Sequence, residues 1–133
     1  MPKLTDFSNH QEEPSAALGH EGLDVYHLSL DFTEYVEEIL EGAPKELSHL
    51  VDQLRRSSSS IVLNIAEGTG RSSPADRARF YVMARGSAAE ASATVDIVFR
   101  MKRVSMEKWV RGKDLTKRIV AMLTKLTKSV GKK

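Results

Sequence analysis

The sequence predicts an all-α fold, an antiparallel up-and-down four-helix bundle, on three observations. Apolar residues recur at spacings of three and four in four separate segments, which places them along one side of a helix. No stretch alternates apolar and polar residues for long enough to make a strand. The segments are divided by short punctuation at Gly42, at Gly68 and Gly70, and at Ser73–Pro74, and short connections make consecutive helices antiparallel neighbours.

Residues 1–20, MPKLTDFSNHQEEPSAALGH, mix Pro, Asn, Gln, Glu and Ser with scattered apolar residues and no period, so a mobile N-terminal arm is expected there. The bundle is expected over residues 21–130, with a basic tail at 131–133. From Leu23 to Glu41, the residues Val25, Leu28, Phe32, Tyr35, Val36 and Ile39 share one side while Asp31, Glu34, Glu37, Glu38 and Glu41 take others, giving an acidic amphipathic helix. Gly42 stops it, and Pro44 suits the first turn of its successor.

In the second helix Leu47, Val51, Leu54, Ser58, Ile61 and Ile65 form the inward series, so the tract Ser57–Ser60 lies within a helical pattern. A flexible Gly/Ser linker has no such period. Gln53, Ser57, Ser60, Asn64 and Glu67 repeat the spacing on another side, a stripe of small and polar residues that can accept a close neighbour. Gly68 and Gly70 match a left-handed helix cap followed by a tight turn.

Ser73, Pro74 and Asp76 read as the N-cap, the first helical residue and the acid of a capping box. The third helix is expected to run to Arg103, about 45 Å at 1.5 Å per residue. It carries two series: Tyr81, Ala84, Ala88, Ala91, Val95 and Val98, then Met83, Ser87, Glu90, Thr94, Ile97 and Met101. A monomeric surface helix needs one. The small side chains of ARGSAAEASA also let helix axes approach closely, so burial on more than one side, and with it self-association, is expected. Residues 103–112, RVSMEKWVRG, read as a corner. In the fourth helix Leu115, Ile119, Met122 and Leu126 make the seam, beside Arg111, Arg118, Lys125 and Lys132 at a period of seven.

The formal net charge of +2 conceals two poles: residues 1–99 hold 8 Lys and Arg against 16 Asp and Glu, giving −8, and residues 100–133 hold 12 against 2, giving +10. The basic residues Arg111, Lys117, Arg118, Lys125 and Lys128 can form a solvated face, neutralise the acidic helix, or track a phosphate backbone. Only Trp109 is near enough to serve as a stacking group for the last role. Cysteine is absent, which excludes disulfides, thiolate metal sites and cysteine nucleophiles and makes a reducing, cytoplasmic setting the simplest. No apolar run approaches the roughly 20 residues of a membrane span, so no membrane partner is expected.

His10, His20, His27 and His49 show no metal-ligand spacing, and no serine sits in a nucleophile elbow. Gly68–Gly70 lacks the further glycine, Lys and Ser/Thr of a phosphate loop. No metal, cofactor or small-molecule substrate is expected. Glu67 and Glu90 lie on stripes otherwise small or apolar, and a pair of carboxylates can serve acid–base chemistry. The ExxH companions of a di-iron bundle are missing, however. A buried carboxylate needs hydrogen bonds or an ion pair, and Asn64, Arg71 and Arg85 are the expected partners.

The stretch QLRRSSSSIVLNIAEGTGR followed by FYVMARGSAAEASATV resembles the four-helix bundle family of ribosomal RNA intervening-sequence proteins, whose members pair an NIAEG-G-R helix ending with a GS-small-small-E segment. The residues that carry the resemblance are Arg55, Arg56, Ser60, Ile61, Asn64, Ile65, Ala66, Glu67, Gly68, Gly70 and Arg71, then Phe80, Ala84, Gly86, Ser87 and Glu90. It covers roughly Leu23 to Val130. The resemblance implies a homopentameric, barrel-like assembly of bundles with no enzyme activity and no cofactor. A related branch, the accessory variability proteins of diversity-generating retroelements, implies as an alternative a basic surface that binds RNA or DNA together with a reverse transcriptase. Val62 stands where many members have proline, which implies a straighter second helix here.

Overall fold

A computed structural model describes residues 18–131, and among them it contains four α-helices and two short 3-10 turns, with no strand. The helices are α1 (Asp24–Leu40), α2 (Ser48–Thr69), α3 (Pro74–Arg100) and α4 (Met106–Gly131). Most of the arm expected at 1–20, and Lys132 and Lys133 of the expected tail, lie outside the described residues. Gly19–Gly22 forms a 3-10 turn, and Gly19 sits against Thr69 at the end of α2.

Each helix runs beside two others: among the described residues α1 and α3 both pack on α2 and on α4, and the backbones of neither diagonal pair come together. The cross-section is therefore a square with the helices in chain order around it. Phe32, Leu54, Ile61, Ile65, Val95, Ile119 and Leu123 meet at its centre with no exposed surface. Burying a large side chain of this kind contributes roughly 1.5–3 kcal/mol. Ala84, Ala88 and Ala91 are equally buried, and their small size lets α3 approach both neighbours closely. In the serine tract Ser57 and Ser58 are buried, and their hydroxyls donate to the carbonyls of Leu54 at 3.2 Å and Arg55 at 3.1 Å. Those bonds remove the cost of placing hydroxyls in the core.

Several local expectations are corrected. Gly42 alone among the described glycines has a positive φ, 74°. Gly68 stays within α2, and Gly70 closes that helix right-handed at φ −84° and ψ −4°. What demands glycine at 68 is space: a Cβ there would stand 2.9 Å from Phe80 Cβ and 3.2 Å from the Arg77 carbonyl oxygen. Only half of the capping box forms. Ser73 Oγ accepts the Asp76 N–H at 3.0 Å, but the Asp76 carboxylate turns to Arg79 at 2.9 Å, because a charged donor makes the stronger bond.

Helix α3 ends at Arg100, three residues short of the expected Arg103, where Lys102 at φ 61° turns the chain left-handed. Helix α4 starts at Met106, so the corner expected over 103–112 shrinks to the residues before it; Ser105 Oγ receives the Lys108 N–H at 3.2 Å and caps the new helix. In the α4 seam Leu115 and Ile119 are buried as expected, Met122 and Leu126 are half-buried, and Leu123 and Val130 complete the row.

Candidate functional site

Ser60, Asn64, Ser87 and Glu90 of the motif line the α2–α3 seam, while Ile61, Ile65 and Ala84 lie in the core and Arg55 pairs with Glu37 of α1 at 2.8 Å. Ser60 and Ser87 hydrogen-bond hydroxyl to hydroxyl at 2.9 Å. Asn64 donates to the Ser60 carbonyl at 2.9 Å and to its Oγ at 3.0 Å, which fixes that hydroxyl from below. Higher up, Gln53 donates to Glu90 Oε2 at 3.3 Å. At the α2 terminus Glu67 pairs with Arg71 at 2.8 Å. The Arg71 guanidinium lies 4.8 Å from the Phe80 ring centroid, and that of Arg79 lies 4.5 Å from it. Arg71 Nε is buried without a hydrogen bond, 3.6 Å from Asp76 Oδ2.

Glu67 and Glu90 are both exposed, and they bind different partners. The Gly68–Phe80 contact sets Glu67 about ten residues along α3 from Glu90, some ~15 Å at 1.5 Å per residue. They do not converge on one reacting atom. Arg85, offered as a partner for them, instead donates to Thr124 at 3.2 Å.

The basic residues of α4 divide into tied and untied. Arg111 donates to both carboxylate oxygens of Glu38 at 3.2 Å and lies 5.6 Å from the Tyr35 ring centroid. Arg118 reaches Asp114 at 3.6 Å. Lys117, Lys125 and Lys128 are exposed and form no ion pair among the described residues. The sequence allows these cations to neutralise the acidic helix, and Arg111 does so, but it does not single out Glu38, because that pair joins residues 73 apart.

Sequence reasoning also missed two polar anchors. The Tyr35 hydroxyl donates to the Lys108 carbonyl at 2.7 Å. Burial, assisted by the Glu38 charge and opposed by Arg111, pushes that hydroxyl up to about 12. Between α3 and α4, Asp96 accepts the Trp109 indole N–H at 2.8 Å and the Lys113 ammonium at 2.9 Å. Burial alone would raise the Asp96 carboxyl, but the Trp109 and Lys113 bonds together outweigh it and hold the group below its ordinary range. A carboxyl depressed in this way stabilises the fold above its ordinary pKa of about 3.9 and loses that contribution as pH falls through the depressed value. Trp109 is the sole tryptophan, so its fluorescence is expected to shift below about pH 4, and Asp96→Asn is expected to abolish that acid step. An unchanged acid step in the variant would assign the transition to another group.

The outer side of α3 faces no helix of its own bundle. Val82, Met83, Ile97 and Met101 are 42–47% exposed, and between them lie exposed Gly86, Ala89 and Ala93. Of the second series predicted for this helix, Thr94 is buried and Ser87 half-buried against α2, while Met83, Glu90, Ile97 and Met101 open to solvent. The ridge from Val82 to Met101 is about 28 Å long. A lone exposed leucine, Leu63 at 66%, stands on the outer side of α2.

Among the described residues no three His, Asp or Glu side chains gather as metal ligands, and no helix is long and apolar enough to cross a membrane.

Four helices in chain order around one core, with polar motif residues along one seam, define a protein of the four-helix bundle class. Residues 21–125 match the family model described as 23S rRNA-intervening sequence protein, and the chain belongs to that family. A solved structure from Bacteroides thetaiotaomicron, described as a protein of unknown function from the S23 ribosomal protein family, shares the fold. The two are 24% identical with a TM-score of 0.72, over 78% of this chain and 98% of the other. No curated protein matches the chain.

Proposed function

We propose that this chain is a non-enzymatic, self-assembling scaffold whose copies associate through the outer sides of α2 and α3. The observation that supports it is the α3 ridge. Four large apolar side chains and three small ones line a helix face that no other described residue covers, and an exposed apolar surface of this kind marks an interface. Five copies is the number the family resemblance implies, and a chain without cysteine suits a reducing, cytoplasmic setting.

Sedimentation velocity at micromolar concentration tests the assembly. A discrete species of several 14.8 kDa chains is expected, and a monomer across that range removes the proposal.

Lys117, Lys125 and Lys128, exposed and outside every ion pair described here, support a second reading, an accessory that binds RNA or DNA along α4. Repeating those cations in each copy of an assembly would multiply their attraction for a phosphate backbone. Binding to structured RNA is then expected to fall steeply between 50 and 200 mM salt, by roughly tenfold or more. It should fall further with Lys117→Glu and Lys125→Glu. No retention on RNA at the lower salt removes this reading while leaving the scaffold intact.

A further inference from the structure

Which two surfaces meet follows from the shape and charge of the subunit once the self-assembly just proposed is granted. Gly86 stands in the middle of a 27-residue helix, where glycine is unfavourable, and a Cβ on it would meet nothing within 4 Å among the described residues. None of the described residues therefore asks for glycine there. With Ala89 and Ala93 it makes a dent in the α3 ridge, walled by Val82 and Met83 at one end and by Ile97 at the other. One helix away, Leu63 projects from the outer side of α2 between exposed Ser59 and Glu67, a large apolar side chain with small or polar neighbours. The two features are a knob and a hole on adjacent corners of the same bundle.

Contacts within the chain set their relative heights. Ser60 meets Ser87, Gly68 meets Phe80 and Thr69 meets Tyr81, so Leu63 is level with Ala84 and Arg85 of its own α3. In a ring whose axis runs along the bundles every copy sits at one height. The partner's Leu63 then arrives level with Met83 and Gly86, at the dent. Two turns away along the same helix, the partner's Arg56 arrives level with Ala91 and Ser92, within a turn of Glu90. Arg56 is exposed and in no ion pair among the described residues, and Glu90 is exposed and holds only Gln53. Shape and charge agree in a single register.

We propose that assembly is heterologous, with the α2 ridge of one copy, led by Leu63 and Arg56, seated on the Gly86 dent and Glu90 of α3 in a second copy of this chain. Such a contact uses two different surfaces, so it propagates, and it closes only if the two directions of contact suit a ring. The two contact ridges lie on adjacent helices of the bundle, so each contact turns the row of copies in one direction, as closure requires. The motif seam with Ser60, Ser87 and Asn64 then lies between the two contact ridges, towards the inside of the ring.

Sedimentation of the full chain, four single variants and one double variant tests the contact. Leu63→Asp removes the knob at a solvent-exposed position, and Gly86→Trp fills the hole from a position where a Cβ meets no described residue within 4 Å. Each is expected to weaken association at least ~10-fold, with helical content and thermal unfolding of the subunit unchanged. Arg56→Glu and Glu90→Arg are each expected to weaken it, and the chain carrying both is expected to regain association, because the charges are exchanged across every contact. If the wild type is monomeric, the self-assembly reading itself falls. If the wild type is oligomeric and both Leu63→Asp and Gly86→Trp remain so, only this contact falls, and the copies meet through another face.

Discussion

Replacing Gly112 by alanine is expected to destabilise the folded subunit by about 2 kcal/mol, although alanine is ordinarily the better helix residue by about 1 kcal/mol. A Cβ on Gly112 would fall inside the hydroxyl end of Tyr35. That ring cannot step aside, since Tyr35 has no exposed surface and is anchored through its hydroxyl to the Lys108 carbonyl. Overpacking a closed core costs about 1–3 kcal/mol or more, and the displaced tyrosine hydroxyl would also lose its buried hydrogen-bond acceptor, at about 1–3 kcal/mol. Together these exceed the gain in helix propensity. Urea unfolding reads the difference directly, and Tyr35→Leu in the same chain is expected to recover much of it by clearing the hydroxyl. An unchanged midpoint for Gly112→Ala would mean that α1 and α4 separate freely at this level.

Phe32→Ala is expected to cost more, about 3–5 kcal/mol, the range for deleting a buried aromatic ring from a core. Phe32 is fully buried and stacks on Tyr35 with centroids 5.7 Å apart at 26°. Its removal opens a cavity against the helix that also carries the Tyr35 anchor. A total stability of about 5–15 kcal/mol is usual for a domain of this size, so the variant is expected to be marginal at 37 °C. Thermal unfolding checks it, and a loss below about 1 kcal/mol would show that neighbouring side chains collapse into the space.

The fold was legible because periodicity is a statement about sides of a helix. Val25, Leu28 and Phe32 in α1, and Leu54, Ile61 and Ile65 in α2, each declare one inward line, and each line is buried. Boundaries were readable where a short-range signal sets them: Ser73 and Pro74 open α3 as expected. Gly68 was misread because a glycine required by handedness and one required by a neighbour's closeness look the same in sequence, and its neighbour Phe80 belongs to the following helix. The start of α4 was missed because Met106 and Val110 point outward, 65% and 53% exposed, and so supply no inward line. Ser105 was the available signal. Glu67 and Glu90 show the limit most clearly. A stripe identifies a direction, but whether another helix lies in that direction depends on the square packing, and here they face solvent. The Tyr35–Gly112 and Trp109–Asp96 pairs join separate helices and leave no local trace at all.

The seam between α1 and α4 carries a consequence for biosynthesis. It joins the first helix to the last through Tyr35 with Lys108 and Glu38 with Arg111, pairs whose members are 73 residues apart. Translation delivers α1, α2 and α3 first, so the greasy flank of α1 must wait uncovered until the final segment clears the ribosome. A nascent chain halted before α4 is open on two sides of the square and is the species most exposed to chaperones and proteases.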